Sequence, residues 1–200
     1  MRIIAGSAGG RRLEVPPKGV RPTMDRVKGA IFSSLGEIVA GARVLDLFAG
    51  AGGLGIEALS RGARSAVFIE TNHLAARVIE RNLAALKFSG EVHRQDVFDF
   101  LYRQNRPGGS ANQLPCFELV FADPPYRAAA DGESFSRLLL RNENLPSLLA
   151  PTGVFVLEKS PAESLEDAAP WVVSRAKRYG ATEVIFFSHQ QNEQRVSGAV

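Results

Sequence analysis

The sequence predicts an α/β protein with a seven-stranded, mostly parallel sheet, helices on both faces, and a small N-terminal β-hairpin. From Arg43 onward, short apolar β-prone runs alternate with segments of helical periodicity, a pattern typical of parallel sheets. A glycine-rich turn follows the first of these runs, and an Asp-Pro-Pro-Tyr corner ends the fourth. The expected strands lie near 43–48, 65–70, 90–94, 117–122, 152–158, 171–177 and 182–188, and the last two form an antiparallel hairpin. Helices are expected near 23–35, 53–62, 72–87, 96–103 and 134–149, with a short acidic helix after Pro161.

Length and composition fit one well-buried domain with a small appendage. The 200 residues are 45% hydrophobic and 22% charged, which is ordinary for a globular chain. No apolar run reaches membrane-spanning length, and no signal peptide is evident, so we expect a cytoplasmic protein. One cysteine excludes an internal disulfide, and the three histidines lack metal-ligand spacing, so we expect no structural metal.

Basic residues are concentrated at the N-terminus. The first 28 residues carry a net charge of +5 and the other 172 carry −2. Two β-prone runs, Arg2–Ala5 and Arg12–Val15, flank a glycine-rich segment and predict a hairpin arm over residues 1–22 with a flexible tip. A basic arm on a nearly neutral body suggests a polyanionic partner, although a solvated surface would have the same composition. A main domain over 23–189 and a polar tail over 190–200 complete the predicted organisation.

The first predicted strand leads into a turn that fits G-x-G-x-x-G, with glycines at positions 50, 52 and 55. Glu70 ends the next strand, where an acid can accept two ribose hydroxyls. Asp96 ends the third and is a candidate acceptor for an adenine amino group. Glycines alone do not separate a nicotinamide dinucleotide from S-adenosylmethionine, since both contain adenosine. Asp46 favours S-adenosylmethionine, because an anion just before the glycine-rich turn would repel a pyrophosphate but suit the ammonium group of the methionine part.

The fourth predicted strand ends in Asp123-Pro124-Pro125-Tyr126. The prolines make a stiff corner that presents a carboxylate and backbone carbonyls, and the tyrosine adds a flat aromatic face. Such a corner suits a planar group with an amino function, because acceptors can take its N–H protons while the ring stacks. Pro115-Cys116 resembles a pyrimidine methyltransferase nucleophile, but it precedes the strand at the opposite end. We therefore expect Cys116 to be a packing residue.

These motifs together resemble the class I S-adenosylmethionine-dependent methyltransferases that modify amino groups. Further matches are Arg2-Ile3-Ile4-Ala5-Gly6, Arg21-Pro22-Thr23-Met24-Asp25-Arg26-Val27-Lys28 and Leu45-Asp46-Leu47-Phe48-Ala49-Gly50. With these the chain is similar to the bacterial RsmD family, which methylates the N2 amino group of one guanine in small-subunit (16S) ribosomal RNA. The resemblance implies a Rossmann-like fold, S-adenosylmethionine as cofactor, and ribosomal RNA or a partly assembled small subunit as partner. Nothing in the sequence requires more than a monomer.

The resemblance also assigns roles to individual residues. Asp123 and the Pro124 carbonyl would hold the guanine amino group, with Pro125 shaping the corner and Tyr126 stacking on the base. The cofactor set implied is Asp46, Phe48, Gly50, Gly52, Gly55, Glu70, Thr71, Asp96 and Val97, with Thr23 and Asp25 at the start of the first helix. The RNA-binding set follows instead from the concentration of basic residues near the N-terminus, and consists of Arg2, Arg11, Arg12, Arg21, Arg26 and Lys28. For Thr23, Asp25 and Arg26, helix capping with a surface ion pair is an equally good interpretation.

Other functions remain open at this point. A DNA adenine amino-methyltransferase shares the corner motif, but the chain has no room for a substantial target-recognition domain. A nicotinamide oxidoreductase and a catalytically inert RNA-binding protein are further alternatives on the same fold.

Overall fold

The computed structural model describes residues 1–16, 24–104, 116–126, 132–164 and 169–189. The predicted cap Thr23, the predicted RNA contact Arg21, most of the predicted loop over 104–115, the acidic segment 165–168 and the tail from residue 190 lie outside them. The chain divides into two compact units, Met1–Phe100 and Leu101–Val200.

Seven strands form one mixed sheet in the order β3-β2-β1-β4-β5-β7-β6. Their bounds are β1 Arg43–Leu47, β2 Ser65–Ile69, β3 Glu91–His93, β4 Phe117–Ala122, β5 Leu149–Lys159, β6 Trp171–Tyr179 and β7 Thr182–His189. The pairs β1–β2, β2–β3 and β4–β5 are parallel, whereas β5–β7 and β6–β7 are antiparallel. The predicted α/β class, the mostly parallel sheet and the closing hairpin are confirmed.

The first unit contains β1 to β3 and the helices that follow them. Its helices are α1 Asp25–Leu35, a 3₁₀ turn Gly36–Val39, α2 Gly53–Ser60, α3 His73–Leu86 and α4 Val97–Gln104, the last of which runs across the division between the units. Helix α3 begins at an Asn72 cap whose side chain accepts from Leu74 N and Ala75 N. Every residue of α2 is buried. Helix α2 therefore packs in the interior of this unit, against β1 and β2.

The second unit contains β4 to β7 and two short helices, α5 Phe135–Leu140 and α6 Leu145–Leu148. The prediction of one helix over 134–149 is wrong. Asn142 Oδ1 accepts from Asn144 N and from Leu145 N, both at 3.0 Å, so its side chain competes with the helical ladder and ends it. Strand β5 then begins at Leu149, earlier than expected. The core of this unit includes Phe155 and Phe187, whose rings stack at 5.7 Å.

Candidate active site

The glycine-rich turn between β1 and α2 has the geometry that its sequence predicts. Gly50 has φ +57° and Gly52 has φ +80°, both in the left-handed region that favours glycine. Gly55 serves packing instead, because a Cβ there would lie 2.3 Å from Cε1 of the buried Phe68 on β2. The three glycines therefore have separate physical roles, namely two sharp backbone turns and one close approach of helix to strand.

Asp46 lies beneath this turn on β1. Its side chain is buried, and its Oδ2 accepts a hydrogen bond of 2.8 Å from Gly55 N. The carboxylate thus fixes the first turn of α2 and puts a negative charge under the loop. A buried anion at this place opposes a pyrophosphate and favours a cationic group.

Glu70 follows β2 and holds the other side of the turn. Its Oε2 accepts from Gly50 N at 2.8 Å and its Oε1 accepts from Asn72 N at 2.7 Å. The residue is 9% exposed, and burial raises the pKa of its carboxyl above the usual range, against the opposing effect of the backbone hydrogen bonds. Thr71 N is a third backbone donor to this carboxylate, which has about four acceptor positions in all. The group can therefore accept from a ligand hydroxyl and support the loop at once.

Asp96 follows β3 and caps helix α4. Its Oδ1 accepts from Phe98 N at 2.8 Å and from Asp99 N at 3.2 Å. The ring of Phe98 meets the ring of Phe48 edge-to-face at 6.3 Å, and Phe48 has φ +56°. A bulky side chain with positive φ is strained, and such strain clusters at functional sites. Phe98 was not among the predicted residues; Val97 is buried and Thr71 is exposed.

In the second unit, the corner Asp123-Pro124-Pro125-Tyr126 directly follows β4. Asp123 is half-buried, Pro124 is buried, and Tyr126 is 44% exposed. The Tyr126 hydroxyl lies 2.9 Å from Oγ1 of Thr182, a buried residue at the start of β7. This hydrogen bond fixes the outer end of the aromatic ring. Thr182 is thus a supporting residue that sequence reasoning missed, because it follows Tyr126 by 56 positions.

Known proteins resemble this chain over nearly its whole length. Residues 1–188 match the profile of the family described as "Conserved hypothetical protein 95". Ribosomal RNA small subunit methyltransferase D from Haemophilus influenzae is 36% identical over 90% of this chain and 89% of its own. Its namesake from Escherichia coli K12 is 34% identical over 100% of this chain and 94% of its own. The chain belongs to the RsmD family.

A solved structure titled "Putative methyltransferase yhhF from Escherichia coli" aligns with a TM-score of 0.74 and 33% identity, over 95% of this chain and 98% of that one. A solved structure described as "SMU.776, a putative methyltransferase complexed with SAH" aligns at a TM-score of 0.63 and 15% identity, which supports the fold. The Rossmann-like methyltransferase fold expected from the sequence is therefore present in this RsmD-family chain.

The N-terminal arm of this family member is docked on α1 and α2 through Glu57, which has no exposed surface. Its carboxylate accepts from Ile4 N at 2.7 Å and from Ala5 N at 3.1 Å. It also accepts from Arg61 Nε at 2.8 Å and lies 3.4 Å from Lys28 Nζ. A buried anion with four partners makes the arm an integral part of the first unit.

Lys28 was predicted to contact RNA, and the structure contradicts this prediction. Its side chain has no exposed surface, and its Nζ donates to Arg2 O at 2.5 Å besides pairing with Glu57. Burial lowers the pKa of this lysine, although the nearby Glu57 charge opposes the shift. Lys28 therefore fixes the arm from inside and is not available to a phosphate.

The arm itself is less regular than a hairpin of two strands. A single antiparallel bridge joins Arg2 and Arg12. The glycine-rich tip, expected to be flexible, is bound to Ser60 at the end of α2. Ser7 N donates to Ser60 O at 2.7 Å, Ala8 N donates to Ser60 Oγ at 3.0 Å, and a Cβ on Gly6 would lie 1.8 Å from Ser60 O. The expectation of a flexible tip is wrong, because close packing selects glycine here.

The other predicted RNA contacts in the described residues lie on the surface. Arg2, Arg11, Arg12 and Arg26 are exposed. Arg2 Nε pairs with Asp25 Oδ2 at 2.8 Å, and Arg11 Nη2 donates to Ala85 O at 3.0 Å. Asp25 thus forms the surface ion pair considered above, and Met24 occupies the cap position expected for Thr23.

Three further observations concern metal ligands, membrane spans and Cys116. In the part of the chain that the structure describes, no three His, Cys, Asp or Glu side chains are grouped so that they could hold a metal ion. Within the same residues, none of the helices has the length and hydropathy needed to cross a bilayer. Cys116 is exposed, so its predicted packing role is wrong.

Proposed function

We propose that this protein transfers a methyl group from S-adenosylmethionine to the exocyclic N2 of a guanine in small-subunit ribosomal RNA. The observation that carries the proposal is the buried carboxylate of Asp46, which lies under the glycine-rich turn and accepts a hydrogen bond from Gly55 N. Glu70, which holds Gly50 N, suits the ribose of either cofactor. Two like charges about 4 Å apart repel by roughly 4 kcal/mol at an effective dielectric constant of 20. A dinucleotide pyrophosphate is therefore a poor ligand for this turn, and a cationic donor is a good one.

When bound, S-adenosylmethionine supplies a methyl group activated by its positive sulfonium. Residues of the first unit suit its parts. The oxygens of Glu70 suit the ribose hydroxyls, the charge of Asp46 suits the methionine ammonium, and the capping Asp96 suits the adenine amino group. The Phe48 and Phe98 rings suit a planar base beside them.

In the second unit, the corner after β4 suits the group that receives the methyl. The Asp123 carboxylate and the Pro124 carbonyl accept the two N–H protons of the guanine amine, which turns its lone pair away from conjugation. Tyr126 stacks on the base while Thr182 holds its hydroxyl. Positioning and electrostatics then supply most of the catalysis, with Asp123 or water taking the released proton.

The substrate class follows from family membership. The Haemophilus influenzae and Escherichia coli relatives are named for ribosomal RNA of the small subunit. Exposed arginines on the docked arm are suited to phosphates. We propose that a monomer acts in the cytoplasm on this RNA, either free or in a partly assembled subunit, with the target base unpaired or turned out of its stack.

Calorimetry with S-adenosylhomocysteine and NAD, followed by methyl-transfer rates of Asp123→Ala, tests this proposal. The parent should bind S-adenosylhomocysteine more tightly than NAD. Asp123→Ala should retain that affinity and lose about 10²–10³ in rate, the usual effect of removing one preorganised polar group. Glu143→Ala, which removes an exposed acid of the same unit, is the matched control. Equal or tighter NAD binding contradicts the cofactor assignment, and normal turnover by Asp123→Ala contradicts the role of the corner.

A further inference from the structure

Asn82, a buried residue of α3 that is 4% exposed, joins the N-terminal arm to the glycine-rich turn. Its Oδ1 accepts from Glu14 N at 2.9 Å, and its Nδ2 donates to Glu14 O at 3.1 Å. The same Nδ2 donates to Ala51 O at 3.3 Å. One amide side chain therefore pairs with both backbone groups of an arm residue and with a carbonyl of the turn.

This set of partners requires a carboxamide. Glu14 N needs an acceptor, while Glu14 O and Ala51 O need two donors, and a side-chain amide supplies one oxygen and two N–H groups on a rigid plane. Aspartate has the same shape but lacks the donors. Alanine lacks both.

Ala51 lies between the two glycines of positive φ, so its carbonyl direction decides the path of the turn. The peptide that joins it to Gly52 is held at both ends, since Gly52 N donates to Ala49 O at 2.7 Å while Ala51 O accepts from Asn82. Gly50, on the other side, donates to Glu70. Glu70 thus holds the peptide between residues 49 and 50, and Asn82 holds the peptide between residues 51 and 52, with one peptide between them.

A second contact joins the arm to the same turn. A Cβ on Gly53 would lie 2.7 Å from Sδ of Met1, so the methionine side chain covers the first residue of α2. Met1 is tied to the other side of the arm because Leu13 N donates to Met1 O at 3.0 Å. The arm therefore reaches the turn at Gly53 directly and at Ala51 through Asn82.

We infer that Asn82 is a positioning residue that couples the arm to the glycine-rich turn, so that RNA held by the arm and an adenosyl ligand held by the turn increase each other's affinity. This inference rests on the proposed function for the identity of the two ligands. Because thermodynamic coupling is reciprocal, bound RNA must raise the affinity for the adenosyl ligand by the same factor by which the bound adenosyl ligand raises the affinity for RNA.

The test compares the parent, Asn82→Asp, Asn82→Ala and a matched control, Glu14→Gln. The control breaks the pair between Arg81 Nε and Glu14 Oε2, which also joins the arm to α3. This pair is solvent-exposed and has no link to Ala51, so its loss should leave the coupling intact. The dissociation constant of S-adenosylhomocysteine is measured by calorimetry with and without a saturating transcript of small-subunit ribosomal RNA.

In the parent and in Glu14→Gln, the transcript should lower the dissociation constant of S-adenosylhomocysteine by about fivefold or more, the lower end of typical couplings. In both Asn82 variants, the ratio of the dissociation constants without and with the transcript should fall to near one. A ratio near one in the parent, or an unchanged ratio in both variants, overturns the inference. Failure of the parent to bind S-adenosylhomocysteine at all overturns the proposed function instead.

Hydrogen exchange of the ligand-free proteins tests the positioning role without either ligand. Asn82→Asp loses the hydrogen bonds to Glu14 O and to Ala51 O, so exchange of the amides at 50–55 should be faster by about tenfold or more, with no such change in Glu14→Gln. Unchanged exchange at 50–55 in a folded Asn82→Asp overturns the positioning role. If Asn82→Ala fails to fold, the nearly isosteric Asn82→Asp decides the result.

Discussion

Replacing Glu57 with alanine should destabilise the first unit more than any surface substitution. The change removes the acceptor for two arm amides, Ile4 N and Ala5 N, and leaves the buried Lys28 ammonium without its carboxylate partner. Breaking a buried ion pair by removing one member typically costs about 3–5 kcal/mol, and hydrogen bonds to a charged group contribute about 1.5–3 kcal/mol each. These contributions overlap, because Lys28 keeps its bond to Arg2 O, so we expect a loss near 3–5 kcal/mol.

A loss of this size should lower Tm by about 6–20 °C in a chain of this length. Denaturant unfolding would measure the free energy, and hydrogen exchange would locate the effect in the amides of residues 3–13. Glu80→Ala, which removes an exposed glutamate of α3, serves as the control. If the free energy of unfolding of Glu57→Ala instead lies within about 1 kcal/mol of the parent value, with the arm amides still protected from hydrogen exchange, then contacts other than this carboxylate hold the arm.

Three further predictions concern the turn, its acid and the arm. Gly55→Ala should lower the free energy of unfolding by about 1–3 kcal/mol, because its new Cβ would clash with the Phe68 ring. In the control Gly29→Ala the new Cβ has no neighbour within 4 Å, so the free energy of unfolding should be unchanged or higher. Equal free energies of unfolding in the two variants would contradict this packing role of Gly55. Burial raises the pKa of Glu70, and its ionised form is the stronger acceptor for a ribose hydroxyl. The affinity for S-adenosylhomocysteine should therefore fall with decreasing pH already above the ordinary glutamate range, and should not do so in Glu70→Gln. The same pH dependence in both proteins would refute this role of Glu70. The same raised pKa makes the folded protein bind more protons than the unfolded chain, so this group should favour folding as pH falls through that window. Replacing Arg2, Arg11 and Arg12 together with alanine should weaken RNA binding. It should also reduce the slope of the logarithm of the binding constant against the logarithm of salt concentration by about one unit or more, at roughly 0.7–0.9 per lost phosphate contact. An unchanged slope would show that the arm has only a structural role.

The parallel strands, the turn and the corner could be predicted because their signals are local. Apolar runs, glycine spacing and proline geometry lie within a few residues of one another, as in Gly50, Gly52 and Gly55. The break in the helix after Leu140 also had a local signal, the Asn142 side chain, but the apolar residues on both sides concealed it.

The docking of the arm could not be predicted, since its determinants are distant in sequence. Glu57 and Lys28 are charged residues of a kind usually found on solvated faces, and only tertiary packing pairs them inside the protein. Asn82 follows Glu14 by 68 positions and has no motif around it. Charge counting assigned Lys28 to RNA for the same reason, because composition does not reveal which charges are buried.

Methyl transfer to a guanine amine of small-subunit ribosomal RNA is the reaction to measure. The most direct measurement offers tritiated S-adenosylmethionine with small ribosomal subunits, free small-subunit ribosomal RNA and duplex DNA, and then identifies the modified nucleoside by mass spectrometry. We expect label in small subunits or their RNA, recovered as N2-methylguanosine, and none in DNA. Label recovered as methyladenine in DNA, or no label in any substrate from a protein that binds the donor, would contradict it.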